Sequence, residues 1–168
     1  MKDLFEVDNT HIVEVLNDLA ELNIDRILGY ELAVNELGNK DADLKILFAI
    51  LIGDSYQYLS ELERKINDAD GEMIEGSCNT GKVYRRWLDY NLTIKVSGRK
   101  AILSGCEFME NKIQDGYGTA LEQKCLPADV RSLIKEQKES LKMGQNKIKE
   151  LRNIQSWIQH PVELRTSA

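Results

Sequence analysis

The sequence predicts an all-α protein, a bundle of four long helices with one long crossover between the second and the third. Apolar residues recur every three or four positions over four long segments, and no segment shows the period-two alternation of strands. Only two prolines occur in 168 residues, and both stand where a helix begins or ends. Roughly 30 residues separate the second segment from the third, which is typical of bundles with one crossover.

The first helix is predicted over about residues 10–37, because Asn9 or Thr10 provides an N-terminal cap and Gly38 and Asn39 provide a stop. The second is predicted over about 41–69, and the short turn between them makes the two helices antiparallel neighbours. At about 100° per residue, each helix presents one stripe that we expect to face the core. The stripes are Ile12, Leu16, Leu19, Asn23, Ile27, Tyr30, Val34 and Leu37 in the first helix, and Leu44, Leu47, Phe48, Leu51, Ser55, Tyr58, Leu62 and Ile66 in the second.

After the second helix the chain becomes polar and glycine-bearing, and a short extra helix is then predicted over about 82–96. At 1.5 Å per residue this helix is about 22 Å long, so it returns the chain along the bundle and lets the third helix run parallel to the second. The third helix is predicted over about 99–122 and the fourth over about 127–157, opened by Pro127. Their stripes are Ile102, Cys106, Met109, Ile113, Tyr117 and Ala120, and Val130, Ile134, Gln137, Leu141, Gly144, Ile148 and Leu151.

The length predicts one domain over residues 10–158, with an N-terminal extension at 1–9 and a flexible tail at 159–168. The net charge of -6 is unevenly distributed, since residues 1–75 hold 6 basic and 18 acidic side chains and the remainder holds 16 and 10. We interpret this asymmetry as complementarity between the two halves, across the bundle or across a homo-oligomer. A protein partner or a second copy is therefore expected.

Composition argues against several other classes. Two basic rows are candidates for a nucleic-acid surface, but both are interleaved with acids and the sequence pI is about 5.1, so no nucleic-acid partner is expected. The longest apolar run, residues 46–52, is far shorter than the roughly 20 residues of a membrane span. Because the N-terminus carries acidic residues where a signal peptide would need a basic stretch, we expect a cytoplasmic location. The two rows are Arg85, Arg86, Arg99 and Lys100, and Lys135, Lys138, Lys142 and Lys149.

The three cysteines, Cys78, Cys106 and Cys125, are widely spaced and odd in number. This spacing favours free thiols over disulfides or a zinc site. A redox-sensing role for Cys78 in a loop is the alternative, which requires a lowered thiol pKa.

A one-crossover bundle suggests a ferritin-like di-iron centre, which needs inward-facing glutamates and two Glu-x-x-His motifs. The chain has two histidines, His11 and His160, and neither stands three residues after a glutamate. By helical-wheel angle the candidate carboxylates flank the apolar stripes and are expected to be solvated. No metal, cofactor or catalytic residue is therefore predicted. The nearest carboxylates are those of Glu31, Glu61, Glu107 and Glu110.

Uncharged polar residues take the place of metal ligands at mid-bundle. Asn23 and Ser55 lie at the same height, and Tyr58, Tyr117 and Gln137 come close to that height if the second and third helices are parallel. The expected result is one polar layer that fixes helix register through hydrogen bonds. Binding of a small ligand in that layer is the alternative.

Several short segments carry a resemblance through their order and spacing: residues 15–19, 29–31, 44–48 and 61–62, Trp87, residues 101–103 and 106–107, Tyr117, and residues 126–127 and 130–131. Together they resemble an uncharacterised bacterial four-helix-bundle family, a domain of unknown function within the ferritin-like superfamily. The resemblance covers about residues 10–152. It implies the fold and a cytoplasmic bacterial setting, and it carries over no catalytic residue. Tyr58 and Asn146 stand where a metal-binding relative would have histidine.

Together these observations predict a non-enzymatic interaction or structural module with a ferritin-like fold and no di-iron site. Two alternatives stay open at this point. One is a metal-binding oxidase or storage relative with a non-standard carboxylate site, and the other is a small-ligand binder that uses the polar layer.

Overall fold

The computed structural model describes residues 9–74 and 98–159, apart from the side chains of residues 156, 157 and 159. These ranges contain four helices, α1 (Asn9–Glu36), α2 (Ala42–Asp68), α3 (Arg99–Glu122) and α4 (Ala128–Gln159). Every boundary lies within two residues of its predicted position. The predicted helix over 82–96, most of the N-terminal extension and nearly all of the tail lie outside the described residues.

The four helices form a square bundle. Helix α1 packs against α2 and α3, and α4 packs closely against α3 and at fewer points against α2. Arg99 at the start of α3 reaches Asp43 at the start of α2, so these two diagonal helices run in the same direction, as predicted. The end of α2 and the start of α3 therefore lie at opposite ends of the bundle, and the connection between them is the crossover.

The core confirms most of the predicted stripes. All six stripe positions of α3 are buried, as are most of those in the other helices. Val34, Leu47 and Leu151 are half-buried instead. No helix within the described ranges is long and apolar enough to cross a membrane.

Local hydrogen bonds explain where the helices end. In the turn between α1 and α2, the Asp41 carboxylate accepts from the Gly38 amide at 3.2 Å. Two residues after the end of α2, Asp70 lies in the left-handed region (φ 57°), and the Gly71 amide donates to the Ile66 carbonyl at 2.9 Å. Pro127 lies just before α4, where its carbonyl accepts from the Arg131 amide at 2.9 Å.

Candidate functional site

A chain of polar side chains crosses the middle of the bundle. The Asn23 amide donates to the Tyr117 hydroxyl at 2.8 Å, and that hydroxyl donates to Oε1 of Gln137 at 2.7 Å. Asn23 and Gln137 are 0% and 2% exposed. The predicted meeting of these three residues is therefore confirmed.

The remaining predicted members attach to this chain in different ways. Nε2 of Gln137 donates to the Tyr58 carbonyl at 3.2 Å and to the Glu61 carboxylate at 2.9 Å. The Tyr58 hydroxyl pairs with Ser140 at 2.5 Å. Ser55 makes no hydrogen bond to the layer within the described residues, and its hydroxyl accepts instead from Arg26 at 2.9 Å. The polar layer thus borders a charged cluster that the sequence analysis did not predict.

That cluster is a buried ion pair between α1 and α3. Nε of Arg26 lies 2.9 Å from Oε1 of Glu110, and the two side chains are 1% and 0% exposed. The Tyr30 hydroxyl donates to the same carboxylate oxygen at 2.5 Å. The expectation that Glu110 is solvated was wrong, because Arg26 and Tyr30 provide hydrogen bonds that replace water.

The surrounding chain accommodates the Arg26 guanidinium closely. Its Nη1 also donates to the Leu51 carbonyl at 2.9 Å, and the guanidinium carbon lies 5.4 Å from the centre of the Tyr30 ring. Gly144 on α4 faces this group, since a Cβ there would lie 3.0 Å from Nη2 of Arg26 and from the Leu51 side chain. A glycine in the α4 stripe therefore leaves space for a buried cation.

Burial and the ion pair together set the protonation of this cluster. Burial disfavours the charged form of Arg26, but the Glu110 carboxylate and the Tyr30 and Tyr58 hydroxyl groups together outweigh burial and raise the arginine pKa. Burial, with Glu110 adding to it, raises the pKa values of Tyr30 and of the Cys106 thiol well above their usual ranges. Burial likewise raises the pKa of Tyr117. At neutral pH the cluster holds a charged arginine among neutral phenols and a neutral thiol.

A signal for this pair was present in the sequence. Arg26 stands seven residues after Leu19 and four before Tyr30, which places it within about 40° of both core residues. Glu110 has the same relation to Cys106 and Tyr117. One charge of each sign near the stripes of two different helices predicts a buried pair, because neither charge is stable there alone.

The donor groups at mid-bundle do not fit the metal centre that a ferritin-like fold implies. Such a centre needs about six hard oxygen and nitrogen ligands, and the described residues contain no group of three or more His, Cys, Asp or Glu side chains placed to share an ion. Glu31 is exposed, and Glu107 pairs with Arg152 at 2.6 Å. Glu61 and Glu110 bind Gln137 and Arg26 as described above.

The fold of this chain is similar to that of a solved structure. The structure of a Dps1 mutant from Mycobacterium smegmatis is similar, with a TM-score of 0.75 and 15% sequence identity over 88% of this chain and 98% of that chain. At this identity the likeness shows the fold alone, a ferritin-like four-helix bundle. None of the curated protein sequences matches the chain.

The sequence also matches the model of a protein family. Residues 11–123 match the model of a family described as a domain of unknown function, DUF2383. The match covers α1, α2, α3 and the crossover between α2 and α3. Because it extends over more than half of the 168 residues, the chain belongs to the DUF2383 family.

Proposed function

We propose that this protein is a non-enzymatic interaction or structural module, a ferritin-like bundle whose core is held by an internal ion pair instead of a di-metal centre. The observation that carries the proposal is the buried pair of Arg26 and Glu110. It lies at the height in the bundle where a di-metal centre would need converging carboxylates.

Arg26 is unfavourable for a metal ion in two ways. A guanidinium keeps its positive charge at every physiological pH, so it repels a cation placed beside it. It also donates its Nε proton to Glu110, the carboxylate that faces the core most directly. A metal at this position therefore requires the loss of the buried ion pair, which costs several kcal/mol.

Metal analysis tests this proposal. Protein purified after growth with iron and manganese, and protein incubated with each ion and then desalted, are expected to carry no stoichiometric transition metal by inductively coupled plasma mass spectrometry. Arg26→Met is the matched variant, because it removes the guanidinium while keeping an apolar stem. One transition metal per wild-type chain, located at mid-bundle by anomalous scattering, contradicts the proposal and favours the metal-binding alternative.

A small-ligand binder is the second candidate, and one specific observation favours it. Oδ1 of Asn23 and Oε2 of Glu110 are buried with no hydrogen-bond partner among the described residues. A ligand that donates a hydrogen bond to either oxygen would supply the missing partner. Native mass spectrometry of the purified protein tests this candidate, since a bound molecule adds a discrete mass that Asn23→Leu removes.

The setting of the protein belongs to the proposal as well. We infer a cytoplasmic location, because Cys106 and Cys125 are free thiols, the state that a reducing compartment maintains. The bacterial setting implied by the family resemblance and the assembly into a homo-oligomer stay predictions. Cys78, the candidate redox thiol, lies outside the described residues.

A further inference from the structure

The outer face of α2 carries an exposed stripe without charge. At about 100° per residue its members share the side of α2 that points away from the core. Solvated helix faces in soluble proteins are ordinarily charged, so this stripe is unusual in a chain with 30% charged residues. We call it the α2 stripe, and its members are Ala42, Ile46, Ala49, Ile50, Gly53, Tyr56, Gln57 and Ser60, all of them exposed.

Gly53 lies at the centre of the α2 stripe and has no packing role within the chain. A Cβ at Gly53 would meet no atom within 4 Å, whereas a Cβ at Gly29 would overlap the Met109 side chain and one at Gly116 would overlap Leu22. Except for proline, glycine is the least favourable residue inside a helix. An open glycine in the middle of α2 is explained if another backbone approaches it closely.

Large apolar side chains surround Gly53. Ile46, Ile50 and Tyr56 are 64%, 57% and 57% exposed, and Met143 of α4 is 74% exposed. Met143 lies at nearly the height of Gly53, because its neighbour Gly144 faces Leu51. Four of the seven exposed large hydrophobic residues in the described ranges therefore cluster around this glycine, which marks an interaction surface.

We propose that a second copy of this chain docks on the α2 stripe, with the two α2 helices antiparallel and crossing at Gly53 about a two-fold axis. The stripe is self-complementary in this arrangement, because residues equidistant from Gly53 face each other. Ile46 then lies opposite Ser60 of the second copy, and Ile50 lies opposite Tyr56. At the stripe's ends, Arg64 of each copy comes beside Asp43 of the other, so the charges that border the stripe are opposite in sign.

The available area agrees with a stable dimer. Helix α2 has 27 residues and is about 40 Å long, and α2 together with the edge of α4 is about 20 Å wide. This gives about 800 Å² per partner, the usual size of a specific interface. The last described residues before the crossover do not cover the stripe, because Asn17 on α1 holds the backbone of Glu72 and Ile74 at 3.1 and 3.0 Å.

Disulfide trapping tests the geometry. In a chain with Cys78 and Cys125 replaced by serine, Gly53→Cys places two thiols at the crossing point, and mild oxidation is expected to give a covalent dimer. Ser60→Cys is the matched control, since an antiparallel pair separates the two Ser60 positions by about 20 Å. Equal trapping of both variants indicates parallel helices, and no trapping of Gly53→Cys indicates another surface. Either result overturns the proposal.

Oligomeric state tests the contact independently of any cysteine. Light scattering during size exclusion is expected to give twice the 19.2 kDa chain mass for the wild type and for Leu28→Glu, whose exposed side chain lies on α1. Ile50→Glu is expected to run as a monomer with an unchanged circular dichroism spectrum, because a carboxylate is buried at the contact. A monomeric wild type, or a dimeric Ile50→Glu, contradicts the proposal.

This dimer supplies a partner for the proposed interaction module and in that respect rests on the proposed function. The two can fail separately. A metal-loaded dimer contradicts the proposed function and leaves the α2 contact in place, whereas a metal-free monomer contradicts the α2 contact alone.

Discussion

Arg26 and Glu110 show how two residues change the character of a bundle core. Each is charged and fully buried, and each depends on the other and on neutral donors and acceptors from Tyr30, Ser55 and Leu51. A buried pair of this kind contributes little net stability compared with apolar residues, but removal of one partner leaves an uncompensated charge. The pair therefore favours one arrangement of α1 against α3.

A double-mutant cycle tests this coupling at the residue scale. Arg26→Met and Glu110→Gln are each expected to lower the free energy of unfolding by about 3 kcal/mol, because each leaves a buried polar group without its charged partner. The double variant is expected to lose at least about 1 kcal/mol less than the sum. Urea unfolding followed by circular dichroism measures all three values.

The exposed pair of Lys147 and Glu150 on α4 is the control for that cycle. Its coupling is expected to be about 0.5 kcal/mol or less, since water and salt screen a surface pair. If the two single-variant costs for Arg26 and Glu110 simply add, so that their coupling energy is no larger than that of the control pair, the buried contact does not couple the helices.

At the scale of the element, the helix boundaries follow local chemistry closely. Helix α3 spans Arg99–Glu122, as predicted, because Gly98 precedes it and its stripe is continuous. Pro127 marks the start of α4 within one residue. The end of α2 is less ideal, because the left-handed position is taken by Asp70 instead of glycine or asparagine.

Asp70→Gly is expected to raise the free energy of unfolding by about 1 kcal/mol, because glycine adopts the left-handed conformation without strain. Asp68→Gly, two residues earlier in the last turn of α2, is the matched control and is expected to lower it by a similar amount. Thermal and urea unfolding measure both. A loss of stability in Asp70→Gly would show that the aspartate side chain itself holds the turn.

At the scale of the whole molecule, the acidic and basic halves of the chain form ion pairs with each other in both senses. Arg99 joins the basic half to Asp41 and Asp43 of the acidic half, as complementarity predicts. In the ion pairs Arg26–Glu110 and Lys65–Asp129, by contrast, the acidic half supplies the basic residue and the basic half supplies the acidic one. Among the four described helices, α1 is the most acidic and α4 the most basic; they occupy diagonal positions, and their backbones do not pack against each other.

The Arg99 contact predicts an acid-dependent loss of stability. Hydrogen bonding to Arg99 lowers the pKa of Asp43 to about 2, from 3.8. A lowered folded-state pKa contributes stability above pH 3.8 that is lost as the pH falls toward 2. Because Asp43 is largely exposed, solvent screening limits this contribution to about 1 kcal/mol or less.

Urea unfolding between pH 5 and pH 2 measures that contribution. Asp43→Asn is expected to be less stable than the wild type at pH 5 and to approach it at pH 2, where the wild-type carboxyl is protonated. Asp54→Asn, on the same helix without an ion pair in the described structure, is the control. A constant difference between wild type and Asp43→Asn across this range would contradict the assignment.

The sequence alone determined the all-α class, the four helices and the meeting of Asn23, Tyr117 and Gln137. The helices depend on a period of 3.6 residues and on local caps, which each chain segment specifies by itself, and the meeting follows from equal heights once the predicted direction of each helix is applied. Only the tertiary structure decided that Arg26 and Glu110 meet in the core and that Ser55 binds Arg26. Side chains at the edge of a stripe are buried or solvated according to what faces them, and the facing residue comes from a helix 84 positions away. The same reason applies to Gly53, because only the packing of the other helices decides that no atom lies within 4 Å of a Cβ at this position.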